Sequence, residues 1–148
     1  KNCFIQGPLQ VLIVMTVFPL THPIYFQFSW PLFLGFTLYC LGLIGETVAD
    51  FQLSRHKKIS KHICMTGLWK FSRHPNYFFE CMIWFGISIL FVNSPYFVFS
   101  LIGPISNFII IFFITGPYSE RCSLERHGDV YLNYQNKTSY FFPWKHKN

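Results

Sequence analysis

Charge is scarce in this sequence. Charged residues make up 12% of its 148 residues and hydrophobic residues 51%, so there is too little charge to cover the surface of a water-soluble monomer. The charges fall in short stretches between uncharged blocks, a pattern typical of membrane-spanning helices joined by polar loops. We therefore predict an all-α fold, a multi-span transmembrane helical bundle, with residues 1–148 forming a single membrane domain.

The sequence also lacks the patterns of a disulfide framework, a metal site and a signal peptide. Its five cysteines are widely separated, and none forms a C-x-x-C pair or a Cys/His spacing typical of metal sites. The first apolar block is not followed by a small-residue cleavage site. Because the first residue is Lys1 and not Met, we expect the chain to be the C-terminal part of a longer protein.

Four apolar blocks are present. Each approaches the roughly 20 residues that a tilted helix needs to cross hydrocarbon. They comprise residues 8–20, 31–49, 77–92 and 96–115. Asn93, Ser94 and Pro95 separate the last two blocks and predict a tight turn, since proline cannot continue a helix and Asn and Ser favour turns. The last two helices should therefore form a hairpin.

The basic residues are confined to three places. They are Lys1; the loop with Arg55, Lys57, Lys58, Lys61, Lys70 and Arg73; and the tail with Arg121, Arg126, Lys137, Lys145 and Lys147. The positive-inside rule places the loop, residues 51–75, and the tail, residues 117–148, on the cytosolic face. We predict a multi-pass integral membrane protein, in the endoplasmic reticulum if eukaryotic and in the inner membrane if bacterial.

This positive face has two interpretations. It either orients the protein and attracts anionic membrane lipids, or it forms a binding site for an anion. Nucleic acid is not an expected partner, because no nucleic-acid recognition motif accompanies the charge.

Acids near the helix ends indicate a polar site. Glu46 and Asp50 are four residues apart and share a helix face, as do Asn76 and Glu80. A carboxylate at such depth is costly unless it is paired or hydrated, so a ligand amide or hydroxyl would satisfy Glu80. The alternative is that these acids reach water at the helix ends or pair with a nearby lysine.

The segment 67–80 carries the strongest functional pattern. Pro75 suits the first turn of a helix, from which Asn76, Tyr77 and Glu80 project. The positive helix end and the Arg73 guanidinium then point towards one place, which suits a phosphate. His74 either adds a donor or is an ordinary loop residue.

This segment resembles the signature of the steroid 5-alpha-reductase-like membrane proteins. Residues 46–57 resemble the family's element before the loop, and residues 120–144 resemble its C-terminal end. Arg121, Cys122, Tyr131 and Tyr134 are similar to the tail of the related sterol reductases. The resembling sequence reads Gly67-Leu68-Trp69-Lys70-Phe71-Ser72-Arg73-His74-Pro75-Asn76-Tyr77-Phe78-Phe79-Glu80.

The resemblance implies a ring of transmembrane helices that holds NADPH from the cytosolic side. A lipid or steroid-like enone would enter from the bilayer, and its carbon–carbon double bond would be reduced. The resemblance provides no catalytic acid within this chain, because the residues that polarise substrate belong to N-terminal helices. The cofactor-binding residues that we expect are Asp50, Lys57, Arg73, His74, Asn76, Tyr77, Glu80, Arg121, Arg126, Tyr131 and Tyr134.

Two departures from the family pattern leave alternatives open. Phe79 stands where the family usually has glycine, and Lys57 stands where arginine is commoner, although an ammonium cannot copy a bidentate guanidinium contact. The Arg-His-Pro-x-Tyr core also resembles the isoprenylcysteine carboxyl methyltransferases, which bind S-adenosylmethionine. Asn76 and Glu80 favour the reductase over that alternative. A third interpretation is a truncated relative without catalytic activity.

Overall fold

The computed structural model describes residues 14–21 and 29–143, and within them the secondary structure is helical apart from one isolated bridge. The predicted all-α class is therefore confirmed for this part of the chain. The elements are a 3₁₀ helix at Met15–Thr21, α1 at Trp30–Ile59, a 3₁₀ helix at Gly67–Lys70, α2 at Pro75–Leu90, α3 at Phe97–Ser100, α4 at Ile102–Ile110, a π-helix at Ile111–Thr115, α5 at Gly116–His127 and α6 at Asp129–Lys137.

Helix α1 extends beyond the predicted apolar block. The block 31–49 lies inside it, and the helix then continues to Ile59, so that it includes residues 51–59, which were predicted to begin a loop. No proline or glycine interrupts this stretch, and His56, Lys57 and Lys58 in the last turn stabilise the negative end of the helix dipole. The start of the predicted loop is therefore helical.

The other predicted blocks also differ at their ends. The block 77–92 corresponds to α2, and the block 96–115 begins a continuous helix, Phe97–His127, that includes the start of the predicted tail. The turn between them is confirmed, since Ser94 N–H donates to the Phe91 carbonyl at 2.8 Å. Of the first block, the structure describes only residues 14–20, which lie mainly in a 3₁₀ helix.

Two helices, Trp30–Ile59 and Phe97–His127, are long and apolar enough to span a membrane. Large apolar side chains are exposed on both of them, including Phe33 at 70% and Phe113 at 66% of their area. Such continuous apolar exposure is rare on a surface that faces water.

The contacts divide the chain into two compact units. The first comprises Lys1–Gly42 and Cys81–Ile110. Within it, α1 and α2 approach closely at two glycines: a Cβ added to Gly35 would lie 2.8 Å from the Gly86 carbonyl oxygen, and one added to Gly86 would lie 2.7 Å from Tyr39 N. Small residues of this kind let helix backbones approach each other.

Two buried serines accompany this crossing in the first unit. Ser88 Oγ donates to the Ser100 carbonyl at 2.6 Å, which joins α2 to α3. Ser100 Oγ in turn donates to the Phe97 carbonyl at 2.6 Å. Both hydroxyls are thus satisfied inside an apolar environment, as buried polar groups require.

The second unit comprises Leu43–Glu80 and Ile111–Asn148. The ring of Phe79 lies against Gly45 so closely that any side chain at Gly45 would overlap it. The phenylalanine that departs from the family pattern is therefore accommodated by a glycine on α1. Trp69, Tyr131, Tyr134 and Phe141 form the buried core of this unit.

Candidate functional site

Hydrogen bonds fasten the tail of the second unit to the segment before α2. Ser72 Oγ donates to the Phe141 carbonyl at 2.8 Å, and Arg73 N–H donates to the Ser139 carbonyl at 2.9 Å. The Tyr134 hydroxyl donates to the Trp69 carbonyl. These bonds join residues more than sixty positions apart, so they fix the geometry of the site between them.

A cavity of about 500 Å³ lies in this unit. Its volume falls within the range of small-molecule and cofactor sites, roughly 300–1,000 Å³. Eight of the eleven residues predicted to bind the cofactor line it, namely Lys57, Arg73, His74, Asn76, Tyr77, Arg126, Tyr131 and Tyr134. The sequence prediction thus named residues that the fold brings to one cavity.

The cavity wall is electropositive. Lys57, Arg73 and Arg126 line it, together with the histidines at positions 56, 62, 74 and 127. Among the described residues that line it there is no aspartate or glutamate. A concave surface with one sign of charge concentrates ligands of the opposite sign. The cavity therefore suits an anion.

Arg73 is largely engaged by the protein itself. Its Nε donates to Glu120 Oε1 at 2.5 Å, and its Nη1 donates to the carbonyls of Gln135 and Thr138, each at 2.8 Å. Its guanidinium carbon also lies 5.5 Å from the centre of the Tyr140 ring, a cation–π distance. These contacts occupy three of its five N–H donors.

One buried polar atom on the wall, Asn76 Oδ1, lacks a hydrogen-bond partner among the described residues. A buried polar group normally has a partner, so Asn76 Oδ1 provides capacity for a ligand. His74 Nε2 instead faces Glu120 Oε1 at 3.4 Å, an ion-pair contact when the imidazole is protonated. The His74 ring is also stacked on Tyr77 at 5.2 Å, which fixes its orientation.

Two tyrosines form the floor of the cavity. Tyr131 and Tyr134 are each 4% exposed, and burial raises the pKa of both hydroxyls above the ordinary value. The charge of Glu120 raises the pKa of Tyr131 further. Both hydroxyls are therefore protonated at neutral pH and act as hydrogen-bond donors.

Three predicted cofactor residues do not line the cavity. Asp50 is exposed on α1 and Glu80 is half-buried on α2, although the charges of both act on the cavity residue Tyr77. The Arg121 side chain is 79% exposed and pairs with Glu125 at 3.1 Å. Arg121 points away because a helix places residues five positions apart, such as Arg121 and Arg126, on different faces.

The sequence analysis missed several wall residues. Trp69 is 8% exposed, lines the cavity and donates from Nε1 to the Ala49 carbonyl at 2.9 Å. Thr115, Ser119 and Ser123 line it together with the predicted Arg126, from one face of α5 and the end of the π-helix before it. Their spacing of three or four residues is a helical signal, but it is recognisable only once this segment is taken as helix.

No curated protein and no solved structure matches the chain. A family model does match, over residues 3–138, and its description is a protein of unknown function, DUF1295. The match includes both candidate spans and every residue that lines the cavity. The chain therefore belongs to the DUF1295 family.

Proposed function

We propose that this chain is the NADPH-binding part of a membrane reductase that reduces the carbon–carbon double bond of a lipid enone, such as a steroid-like molecule. The observation that carries the proposal is the cavity lined by Lys57 and Arg126, neither of which has an ion-pair partner among the described residues, with no carboxylate among its described wall residues. NADPH carries a diphosphate and a further phosphate, and charge-assisted contacts to phosphate are among the strongest hydrogen bonds in proteins.

The unpaired oxygen of Asn76 fits such a cofactor. Asn76 Oδ1 can accept from an amide, amino or hydroxyl group of a dinucleotide. Lys57 and Arg126 would hold phosphates, and the protonated Tyr131 hydroxyl would donate a hydrogen bond. When bound, the cofactor supplies the hydride that reduction of a polarised double bond requires.

The apolar surfaces support a membrane location. The exposed faces of α1 and of Phe97–His127 suit contact with lipid, and the basic ends of both helices suit a cytosolic interface. We accordingly propose a multi-span bundle in which membrane lipids surround the helices and the substrate arrives from the bilayer. The loop 51–75 and the tail 117–148 would then face the cytosol. We assign no catalytic acid in this chain.

The packing of Phe79 is compatible with the reductase interpretation. Phe79 departs from the glycine of the resembling family, but its ring lies against Gly45. The departure is therefore compensated within the same unit and does not project into the cavity wall, of which Phe79 is not a part.

Ligand titration tests the proposal directly. Protein purified in detergent is titrated with NADPH, NADH and S-adenosylmethionine, and binding is followed by tryptophan fluorescence, to which Trp69 in the cavity wall contributes. We expect NADPH to bind about tenfold or more tightly than NADH, since one phosphate contact of about 1.5–3 kcal/mol is at stake. Lys57→Met should weaken NADPH binding, whereas its neighbour Lys58, which is not part of the cavity wall, provides the control Lys58→Met.

The other outcomes of this titration identify the rivals. Binding of S-adenosylmethionine without NADPH would replace the reductase with a methyltransferase. Binding of none of the three ligands by the folded protein would contradict both enzymes and favour a relative without catalytic activity.

A further inference from the structure

Glu120 lies on α5 just outside the cavity and is not part of its wall. Its Oε1 accepts from Arg73 Nε at 2.5 Å and lies 3.4 Å from His74 Nε2, while its Oε2 accepts from Gln135 Nε2 at 3.0 Å. The side chain is 14% exposed. One carboxylate thus joins the segment before α2, helix α5 and helix α6.

Arg73 satisfies the end of α6. The carbonyls of Gln135 and Thr138, which accept from its Nη1, belong to the last turn of α6 and its C-cap. Carbonyls at this end of a helix lack partners within the helix, and a cation there interacts favourably with the helix dipole. The geometry of Arg73 is therefore that of a C-terminal capping residue.

Lys57 and Arg126 are placed differently. Each lies in the last turn of its own helix and lines the cavity. Neither has an ion-pair partner in the part of the chain that the structure describes. Their charges are available to a ligand, whereas the charge of Arg73 is already compensated by Glu120 at close range.

We infer that Glu120 and Arg73 act together as a clamp that positions residues 131–141 of the tail and the His74 imidazole. In this arrangement Arg73 is a positioning residue and not a phosphate ligand. The inference relies on the proposed function for the identity of the ligand alone. The clamp itself is a property of the folded chain and is testable without any ligand.

Hydrogen exchange tests the clamp. In the full chain in detergent, we expect Glu120→Gln, which keeps the shape of the side chain, to speed amide exchange in residues 131–141 by about tenfold or more. Arg73→Lys should do the same, and the effect of the double variant should be smaller than the sum of the two single effects, because Arg73 and Glu120 share one contact. Arg121→Gln, which breaks the exposed ion pair on the same helix, is the control and should leave the tail unchanged.

A second variant keeps this test decisive if Glu120→Gln does not fold. Glu120→Asp retains the charge on a side chain shorter by one methylene, and its tail should exchange at a rate between the wild type and Arg73→Lys. Exchange at the wild-type rate in a folded Glu120→Gln protein would overturn the inference.

Ligand affinity separates positioning from phosphate contact. The dissociation constants of NADPH and of inorganic pyrophosphate are measured for Arg73→Gln and Glu120→Gln. If the two residues form a clamp, both substitutions weaken binding of both ligands. If Arg73 instead contacts phosphate, Arg73→Gln weakens binding while Glu120→Gln strengthens it by removing a nearby negative charge. Effects of opposite sign would therefore overturn the inference.

The hydrogen-exchange test and the ligand-binding test can fail independently of each other. Should the wild-type protein bind neither NADPH nor pyrophosphate, the proposed function is wrong, yet hydrogen exchange still decides whether Glu120 and Arg73 clamp the tail. Should NADPH bind tightly while Glu120→Gln leaves the tail protected, the proposed function stands and the clamp is wrong.

Discussion

The contacts inside the first unit differ in kind from the contacts inside the second unit. In the first, α1 and α2 touch through backbone atoms at Gly35 and Gly86, where any side chain would collide. In the second, side chains reach across to backbone carbonyls, as Ser72 does to Phe141 and Arg73 to Thr138. The close helix crossing of the first unit depends on shape, whereas the cavity of the second unit is held by hydrogen bonds.

This difference has consequences for substitution. A contact defined by shape is disrupted by added side-chain volume, and it does not depend on a single hydrogen-bond donor or acceptor. A contact defined by donors and acceptors is sensitive to the loss of a single polar atom, because the partner is left unsatisfied. Each unit should therefore have its own characteristic damaging substitution.

The largest effect is expected at the glycine crossing. Gly86→Leu places a side chain where the Tyr39 backbone lies, and should reduce the free energy of unfolding by about 3 kcal/mol or more. The thermal unfolding temperature in detergent measures this loss. Phe36→Leu, at an exposed position of α1, is the control with little expected change. An unfolding temperature equal to that of the wild type in Gly86→Leu would contradict the shape-defined crossing.

A second prediction asks whether the second unit also contains a contact defined by shape. Gly45→Leu should collide with Phe79, and Phe79→Gly should leave a cavity, each reducing the free energy of unfolding by about 2–3 kcal/mol. The double variant Gly45→Leu with Phe79→Gly should recover part of the loss, since the added side chain fills the vacated space. Thermal unfolding of all four proteins measures the coupling, and strict additivity would show that the two residues do not share a contact.

Loss of the Ser72 hydroxyl should destabilise the second unit. Ser72 is fully buried, donates to the Phe141 carbonyl and accepts from His74 N–H at 3.1 Å. Ser72→Ala should reduce the free energy of unfolding by about 1–3 kcal/mol and loosen the tail. Thermal unfolding and protease cleavage of the tail measure these effects, with the exposed Ser54→Ala as the control. A protected tail in Ser72→Ala would show that shape alone holds this unit.

The smallest effect is expected at Tyr134, whose ionisation should lower the stability of the protein at alkaline pH. Because burial raises the pKa of Tyr134 above its ordinary value of about 10, the folded state holds this proton more tightly than the unfolded state. The contribution of Tyr134 to stability is therefore constant below pH of about 10 and declines as the pH rises above it. In Tyr134→Phe this decline should be smaller, at a cost of about 1 kcal/mol at neutral pH for the lost hydrogen bond to Trp69. Unfolding temperatures of both proteins across this pH range test the sign, and identical profiles would contradict it.

Much of the helical fold was predictable from hydrophobicity. The blocks 31–49, 77–92 and 96–115 lie mostly in helices, and the turn at Asn93–Pro95 follows from residue types alone. Positive charge was taken as a sign of loop, which hid the continuation of α1 to Ile59 and of the last long helix to His127. Charged residues are good helix formers, so local composition did not distinguish the two states.

The site was predictable to the extent that residue types define it. Lys57, Asn76, Tyr77, Arg126, Tyr131 and Tyr134 line the cavity as expected. The partners of Arg73 were not predictable, because backbone carbonyls 62 and 65 residues away leave no mark in the sequence. The choice between Arg121 and Arg126 depended on helical phase, which requires knowing that the segment is a helix.

The long-range bonds from Ser72 to the tail also set an order of events during synthesis. A ribosome adds Phe141 sixty-nine residues after Ser72, so the acceptor for that hydroxyl is made only after both long apolar helices. Both long apolar helices are therefore synthesised before the residues that complete the cavity wall. A stop codon within residues 116–130 would leave α1 and α2 encoded in full yet remove Tyr131 and Tyr134 from the wall.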